Sequence, residues 1–293
     1  MIALVVGVDG TIGSALAGRL AQEGYVVHGT TRRRTCVSEN RWFLDLAGEV
    51  AAAPLPTADI AFLCAGIVGF AACRADIAAA ARVNVVGRSV LAERLIAAGA
   101  RVVLLSTSAV FDGRLPDSPA HRPPCPITVY GRLAAETEQA FSKFGAAASI
   151  LRLTKVLTSN ASLFAGWIEK LSRGDSVEAY ADHHFSPVSI DDALTALLAI
   201  MDEQSGGIFQ VSGAGDISYH EAACHLATRL GRSSRNVIPR QAADAGMLAE
   251  EIARFTSLDC SRLNALANWV RPNPYDVLDR VYRPQLEAAR TRR

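Results

Sequence analysis

The chain has almost no charge imbalance. Its 293 residues carry 30 Lys and Arg against 29 Asp and Glu, a formal net charge of +1. A surface so nearly neutral gives no general attraction to polyanions, so neither nucleic acid nor a membrane surface is an expected partner. No apolar run is long enough to span a bilayer. The first apolar run is too short for a signal peptide and has no basic residues ahead of it, so a cytoplasmic protein is expected. Cys36, Cys64, Cys73, Cys125, Cys224 and Cys260 form no C-x-x-C pair, as suits free thiols in a reducing compartment. The histidines form no H-E-x-x-H pattern, and the neighbours His183 and His184 point to opposite faces of an extended chain, so no metal site is expected. Short-period repeats are also absent.

Apolar residues are plentiful. They make up 50% of the chain, enough for one large core or two smaller ones. The most informative stretch is the first, MIALVVGVDGTIG. Ile2 to Val6 reads as a parallel strand buried on both faces. Gly7, Gly10 and Gly13 follow as G-x-x-G-x-x-G, and Ile12, Leu16 and Leu20 continue at helical spacing. Strand, glycine turn and helix in this order make a dinucleotide cradle. Gly7 supplies unusual backbone angles. Gly10 lets a pyrophosphate approach, and Gly13 lets the helix pack closely on the strand. The helix start, with Thr11 and Ile12, offers free N–H groups and a partial positive charge.

The second strand is read at Tyr25 to Gly29. An acidic residue at its end would bind the adenine ribose hydroxyl. None is there: the sequence runs Thr30, Thr31, Arg32, Arg33, Arg34. Hydroxyls and guanidinium groups suit a 2′-phosphate, so NADP is favoured over NAD. Further strands are expected at residues 42–46, 59–64, 101–105 and 147–153, with Ala65-Gly66 following the second of these four. A long helix is expected from Arg74 to Ala98, ended by Gly99, and another from Val129. Ser106, Thr107 and Ser108 fall at a strand's C-terminal end, the ligand-binding edge of an open α/β sheet. The pattern is α/β: a doubly wound parallel sheet of Rossmann type.

The chain resembles the extended short-chain dehydrogenase/reductase superfamily, its dTDP-4-dehydrorhamnose reductase-like branch in particular. The matching pieces are the three glycines, Asp45-Leu46, Ser106 to Gly113, Val129-Tyr130-Gly131, Arg152, and Pro187-Val188 with Asp191-Asp192. The resemblance implies a Rossmann domain over residues 1–156, to which 186–212 return. It implies a smaller, discontinuous substrate domain from 157–185 and 213–293. Asp45 would contact adenine, Asn84 would lie in the helix beside the active site, Thr107 would hydrogen-bond the substrate oxygen, and Tyr130 would be the acid/base. The implied cofactor is NADP or NAD and the implied substrate a sugar nucleotide or related carbonyl compound. The implied assembly is a homodimer through the helices of Asn84 and Tyr130.

One family residue is missing. Four residues after Tyr130, on the same helix face, the motif lysine is replaced by Ala134. In the family that lysine holds the nicotinamide ribose and lowers the tyrosine pKa. An unperturbed tyrosine titrates near ~10, so only about one in a thousand is ionised at pH 7. Such a residue is a poor base but a serviceable proton donor for carbonyl reduction. Lys155, after the sixth strand, is the candidate to bind a substrate anion or to stand near Tyr130. Two functions follow: an NADP-dependent reductase or epimerase, or a cofactor-binding regulatory protein that has lost turnover. The superfamily's regulatory subunit of methionine adenosyltransferase is an example of the second.

Overall fold

The computed structural model describes residues 1–291. Its strands are β1 (Ile2–Val6), β2 (Val26–Thr31), β3 (Arg41–Phe43), β4 (Ile60–Leu63), β5 (Arg101–Thr107), β6 (Ala148–Leu153), β7 (Lys155–Leu157), β8 (Val177–Tyr180), β9 (His184–Phe185), β10 (Pro187–Ser189), β11 (Gly207–Val211), β12 (Ile217–Ser218) and β13 (Val237–Arg240). Seven of them form one sheet in the order β11-β6-β5-β4-β1-β2-β3, with every pairing parallel. The order reverses between β1 and β4, which opens a crevice at the strands' C-terminal ends.

The apolar runs explain the layers. Side chains alternate across a strand, so Ala3 and Val5 join one core cluster while Leu4 and Val6 join the other. Ile60 and Phe62 divide from Ala61 and Leu63 in the same way. Helices α1 (Thr11–Gln22) and, later in the chain, α7 (Ile190–Met201) cover the first face. Beneath the second face lie α2 (Phe70–Ala75), α3 (Ile77–Ala81), α4 (Arg88–Ala97) and α5 (Val129–Phe141), with α4 and α5 supplying its core residues.

A separate core joins α6 (Ser162–Arg173), α8 (Tyr219–Arg229) and α10 (Pro274–Thr291) to β8 and β13. Phe164 is at its centre, with ring contacts to Trp167, Phe185, Tyr219 and Tyr282 at 5.3–6.1 Å between centroids. The short α9 (Ser261–Ala267) packs instead on the edge strand β11.

The single helix expected from Arg74 to Ala98 is a correction. Asp76 turns out of helix (φ −147°) and its carboxylate caps α3 by accepting from the Ala79 N–H. Residues Arg82–Gly87 then form one turn of π-helix before α4. Gly87 is required there, because a Cβ would fall 2.1 Å from the Leu46 carbonyl oxygen. The π turn also moves Asn84 inward, although a mid-helix asparagine is ordinarily solvated or bonded locally. Asn84 is buried, its Oδ1 accepts from the Ile67 N–H (2.8 Å), and its Nδ2 donates to the Ile67 carbonyl (2.7 Å).

Candidate active site

The glycine turn is built as its spacing implies. Gly7 has φ +92°, and a Cβ on Gly13 would lie 2.2 Å from the Gly7 carbonyl oxygen. At Gly10 a Cβ would meet only that carbonyl, at 3.5 Å, so the space before α1 is clear of protein. No side chain caps α1. Among the described residues the backbone N–H groups of Thr11, Ile12 and Gly13, in the first turn of α1, have no turn, loop or side-chain partner, as a phosphate cradle needs.

The adenosine end differs from its sequence reading in one respect. Thr31 is buried and its hydroxyl is already engaged: it donates to Asp9 (2.5 Å) and accepts from the Arg33 N–H (3.0 Å). Asp9 also faces Arg41 at 3.6 Å. Arg32 and Arg33 are exposed, whereas Arg34 stacks on the Phe43 ring at 4.0 Å. Asp45 accepts from the Ala47 N–H (3.0 Å), and the Leu46 side chain is core. Ala65 and Gly66 follow β4 beside the glycine turn; a Cβ on Gly7 would strike Ala65 at 2.7 Å.

A cavity of about 460 Å³ opens at the C-terminal ends of β4, β5 and β6. It brings together Ile12, Asn84, Thr107, Tyr130, Ala134 and Lys155, residues far apart in the chain. Thr107 ends β5 and its Oγ1 accepts from the Ala109 N–H (3.2 Å). Tyr130 stands at the start of α5, which Thr128 caps through the Gly131 N–H (3.0 Å). Its ring meets Phe70 edge-on, 6.1 Å between centroids. Burial raises the Tyr130 pKa, while the Thr107 hydroxyl and the Arg88 guanidinium oppose the rise and Cys73 adds to it. The phenol is therefore protonated at neutral pH.

Lys155 begins β7. The residue as a whole is exposed at the cavity, yet desolvation by the surrounding walls lowers its pKa. Its ammonium has no hydrogen bond or ion pair among the described residues. Its electrostatic neighbour is His183, not Tyr130. Desolvation, then the Lys155 charge, pushes His183 down to about 4. His183 Nδ1 accepts from the Ala253 N–H (3.1 Å), and the ring stacks on Tyr219 with centroids 5.1 Å apart.

Two parts of the wall went unread in the sequence. Residues Glu250 to Thr256 roof the cavity, held by Arg74 to Glu251 and by the Phe255 N–H to the Gly113 carbonyl (3.0 Å). Arg88 lies in the opposite wall, 8% exposed. The only signal for it was its position four residues after Asn84, on the same helix face. Among the described residues no group of three or more His, Cys, Asp or Glu is placed to hold a metal, all six cysteines are free, and no helix is long and apolar enough to cross a membrane.

A family model described as the RmlD substrate binding domain matches residues 1–283. The chain belongs to that family. Its fold is that of the dTDP-4-dehydrorhamnose reductase branch of the extended short-chain dehydrogenase/reductases. A curated relative, methionine adenosyltransferase 2 subunit beta from Pongo abelii, is 28% identical over 206 residues, 64% of this chain and 59% of the relative. The chain thus spans under two thirds of that relative. The dTDP-4-dehydrorhamnose reductase of Mycobacterium tuberculosis is 26% identical over 246 residues, 80% of this chain and 78% of the relative. Among solved structures, dTDP-4-dehydrorhamnose reductase from Bacillus anthracis in complex with NADP superposes with a TM-score of 0.81 at 20% identity, covering 97% of this chain and 98% of that one.

Proposed function

We propose that this RmlD-family chain is an NADP-dependent reductase of a carbonyl in a sugar nucleotide or related small molecule. The observation that carries the proposal is one cavity holding a protonated Tyr130, Thr107 and the free ammonium of Lys155, next to a glycine turn shaped as a phosphate cradle. The free N–H groups from Thr11 to Gly13 would hold the pyrophosphate. The clearance at Gly10 would admit the cofactor, with Gly7 packed on Ala65 and Gly66 on Arg88 to either side; Asp45 and the Leu46 backbone would flank adenine, and Arg32 and Arg33 would meet a 2′-phosphate. Thr31 and Asn84 would shape this site from behind, since their polar atoms already have protein partners. When bound, the nicotinamide supplies hydride. Thr107 and Tyr130 orient the substrate oxygen, and the Tyr130 hydroxyl gives it a proton. Lys155 offers charge to an anionic substrate group. NAD is the other cofactor the cradle fits.

The direct test is NADPH consumption at 340 nm with a panel of 4-keto nucleotide sugars. Turnover that Tyr130→Phe abolishes supports the reading; NADPH binding with no turnover on any carbonyl points to the regulatory alternative. Ala134 and the relative named as an adenosyltransferase subunit are what favour that alternative. The proposal extends to a cytoplasmic homodimer through the helical segments that carry Asn84 and Tyr130, the π turn before α4, and α5 itself. Sedimentation of the purified chain tests the dimer.

A further inference from the structure

The family lysine is gone from α5, but the cavity wall facing Tyr130 is not without a cation. Arg88 opens α4, directly after the π turn, and is 8% exposed. Its Nε donates to the Ala65 carbonyl at 2.8 Å, which fixes the guanidinium plane against the end of β4. Its Nη atoms donate to nothing among the described residues and are not sealed from the cavity. Gly66 makes room for this placement, because a Cβ there would lie 2.0 Å from Nη2. Helix α5 is held against the same wall: Thr137 donates to the Asn84 carbonyl at 3.0 Å, one turn before Arg88.

We propose that Arg88 supplies, from the facing helix, the positive charge that Ala134 removes from α5. Arginine remains protonated even when buried. When the Tyr130 O–H bond breaks and its proton passes to the substrate oxygen, a phenolate is left behind. A fixed guanidinium lining the same cavity stabilises that phenolate. Arg88 is thus a positioning residue that acts through Tyr130. The inference rests on Tyr130 being the proton donor.

The other charged or titratable groups around Tyr130 do not serve. Cys73 on α2 bonds to the Ile67 carbonyl, and burial raises its thiol pKa, so it stays neutral. Arg74 on α2 is paired with Glu251. Arg82 on the π turn is exposed, and Arg132 on α5 turns away to the Ile127 carbonyl. Lys155 acts on His183, and neither acts on Tyr130. Burial lowers the Arg88 pKa and raises that of Tyr130, and the attraction between the two groups opposes both shifts.

The test follows Tyr130 ionisation, with neither cofactor nor substrate, as the 295 nm difference between the full chain and its Tyr130→Phe variant. Arg88→Gln should raise the midpoint by about one pH unit or more, and Arg88→Lys should restore most of it. Gly66→Ala keeps the charge but pushes the guanidinium aside, so it should also raise the midpoint; this variant decides the matter if Arg88→Gln does not fold. A midpoint unmoved in both variants overturns the proposal. Because no turnover is measured, this outcome is separate from any failure of the reductase reading. In an active enzyme, Ala134→Lys should rescue Arg88→Gln yet add little to the parent, a non-additive pair.

Discussion

Glu138 on α5 and Arg152 on β6 meet 2.6 Å apart in the interior, 4% and 1% exposed. The pair is part of a larger knot. Ser106 donates to Glu138 (2.5 Å), Arg152 reaches the Gln210 side chain (3.2 Å), and Gln210 donates to the carbonyls of Ser118 and Asp259. It ties β5, β6, β11 and α5 together below the cavity. Removing one partner leaves an uncompensated buried charge, which costs more than the intact pair contributes. Glu138→Ala is expected to destabilise the protein by about 3–5 kcal/mol. Urea unfolding measures it; a loss under about 1 kcal/mol would show the Arg152 charge to be satisfied elsewhere.

Gly13→Ala is expected to damage both fold and cradle. The added methyl falls 2.2 Å from the Gly7 carbonyl oxygen, a backbone atom that cannot rotate away. Helix α1 must move off the turn, at a cost of about 1–3 kcal/mol. Paired unfolding and NADPH titrations should show both losses. A variant as stable and as tight-binding as the parent contradicts the close packing.

His183 gives the protein an acid-sensitive element. Its folded value is about 4 against an ordinary 6.5, so between these values the unfolded chain takes up a proton that the folded chain refuses. Stability therefore falls as pH drops from 6.5 toward 4, and this group adds no pH dependence above that window. His183→Phe should keep the stacking on Tyr219 and flatten the decline. Melting temperatures of both proteins across pH 4–8 measure it; parallel curves throughout would mean that His183 protonates as readily folded as unfolded.

Arg32 and Arg33 should separate the two cofactors. Both are exposed, and a forked charge-assisted contact with phosphate is stronger than a neutral hydrogen bond. Replacing both by Ala should weaken NADPH at least about tenfold, the loss of one such contact, and leave NADH nearly unchanged. Equal loss of both cofactors would assign the pair a structural role.

The sheet and the glycine turn were legible in the sequence, because each rests on local pattern, whereas the pairing of Thr107 with Tyr130 came only from the family resemblance. Apolar runs, glycines at fixed spacing and hydroxyls at a strand end carry their meaning within a few residues. The break at Asp76, the π turn and the inward position of Asn84 were not. Asn84 is drawn inward by the Ile67 peptide, 17 residues away. The roof over the cavity depends on Arg74 meeting Glu251, 177 residues later. Engagement of Thr31 by Asp9 was hidden for the same reason, since the two are neighbours only once β1 and β2 pair.

The most direct test of the central claim is a fluorescence titration of the purified chain with NADPH and with NADH. The account predicts saturable NADPH binding that is tighter than NADH binding, and loss of both in Gly13→Ala. Absence of binding by either nucleotide would contradict it, leaving the glycine turn as a structural joint and the cavity without its cofactor.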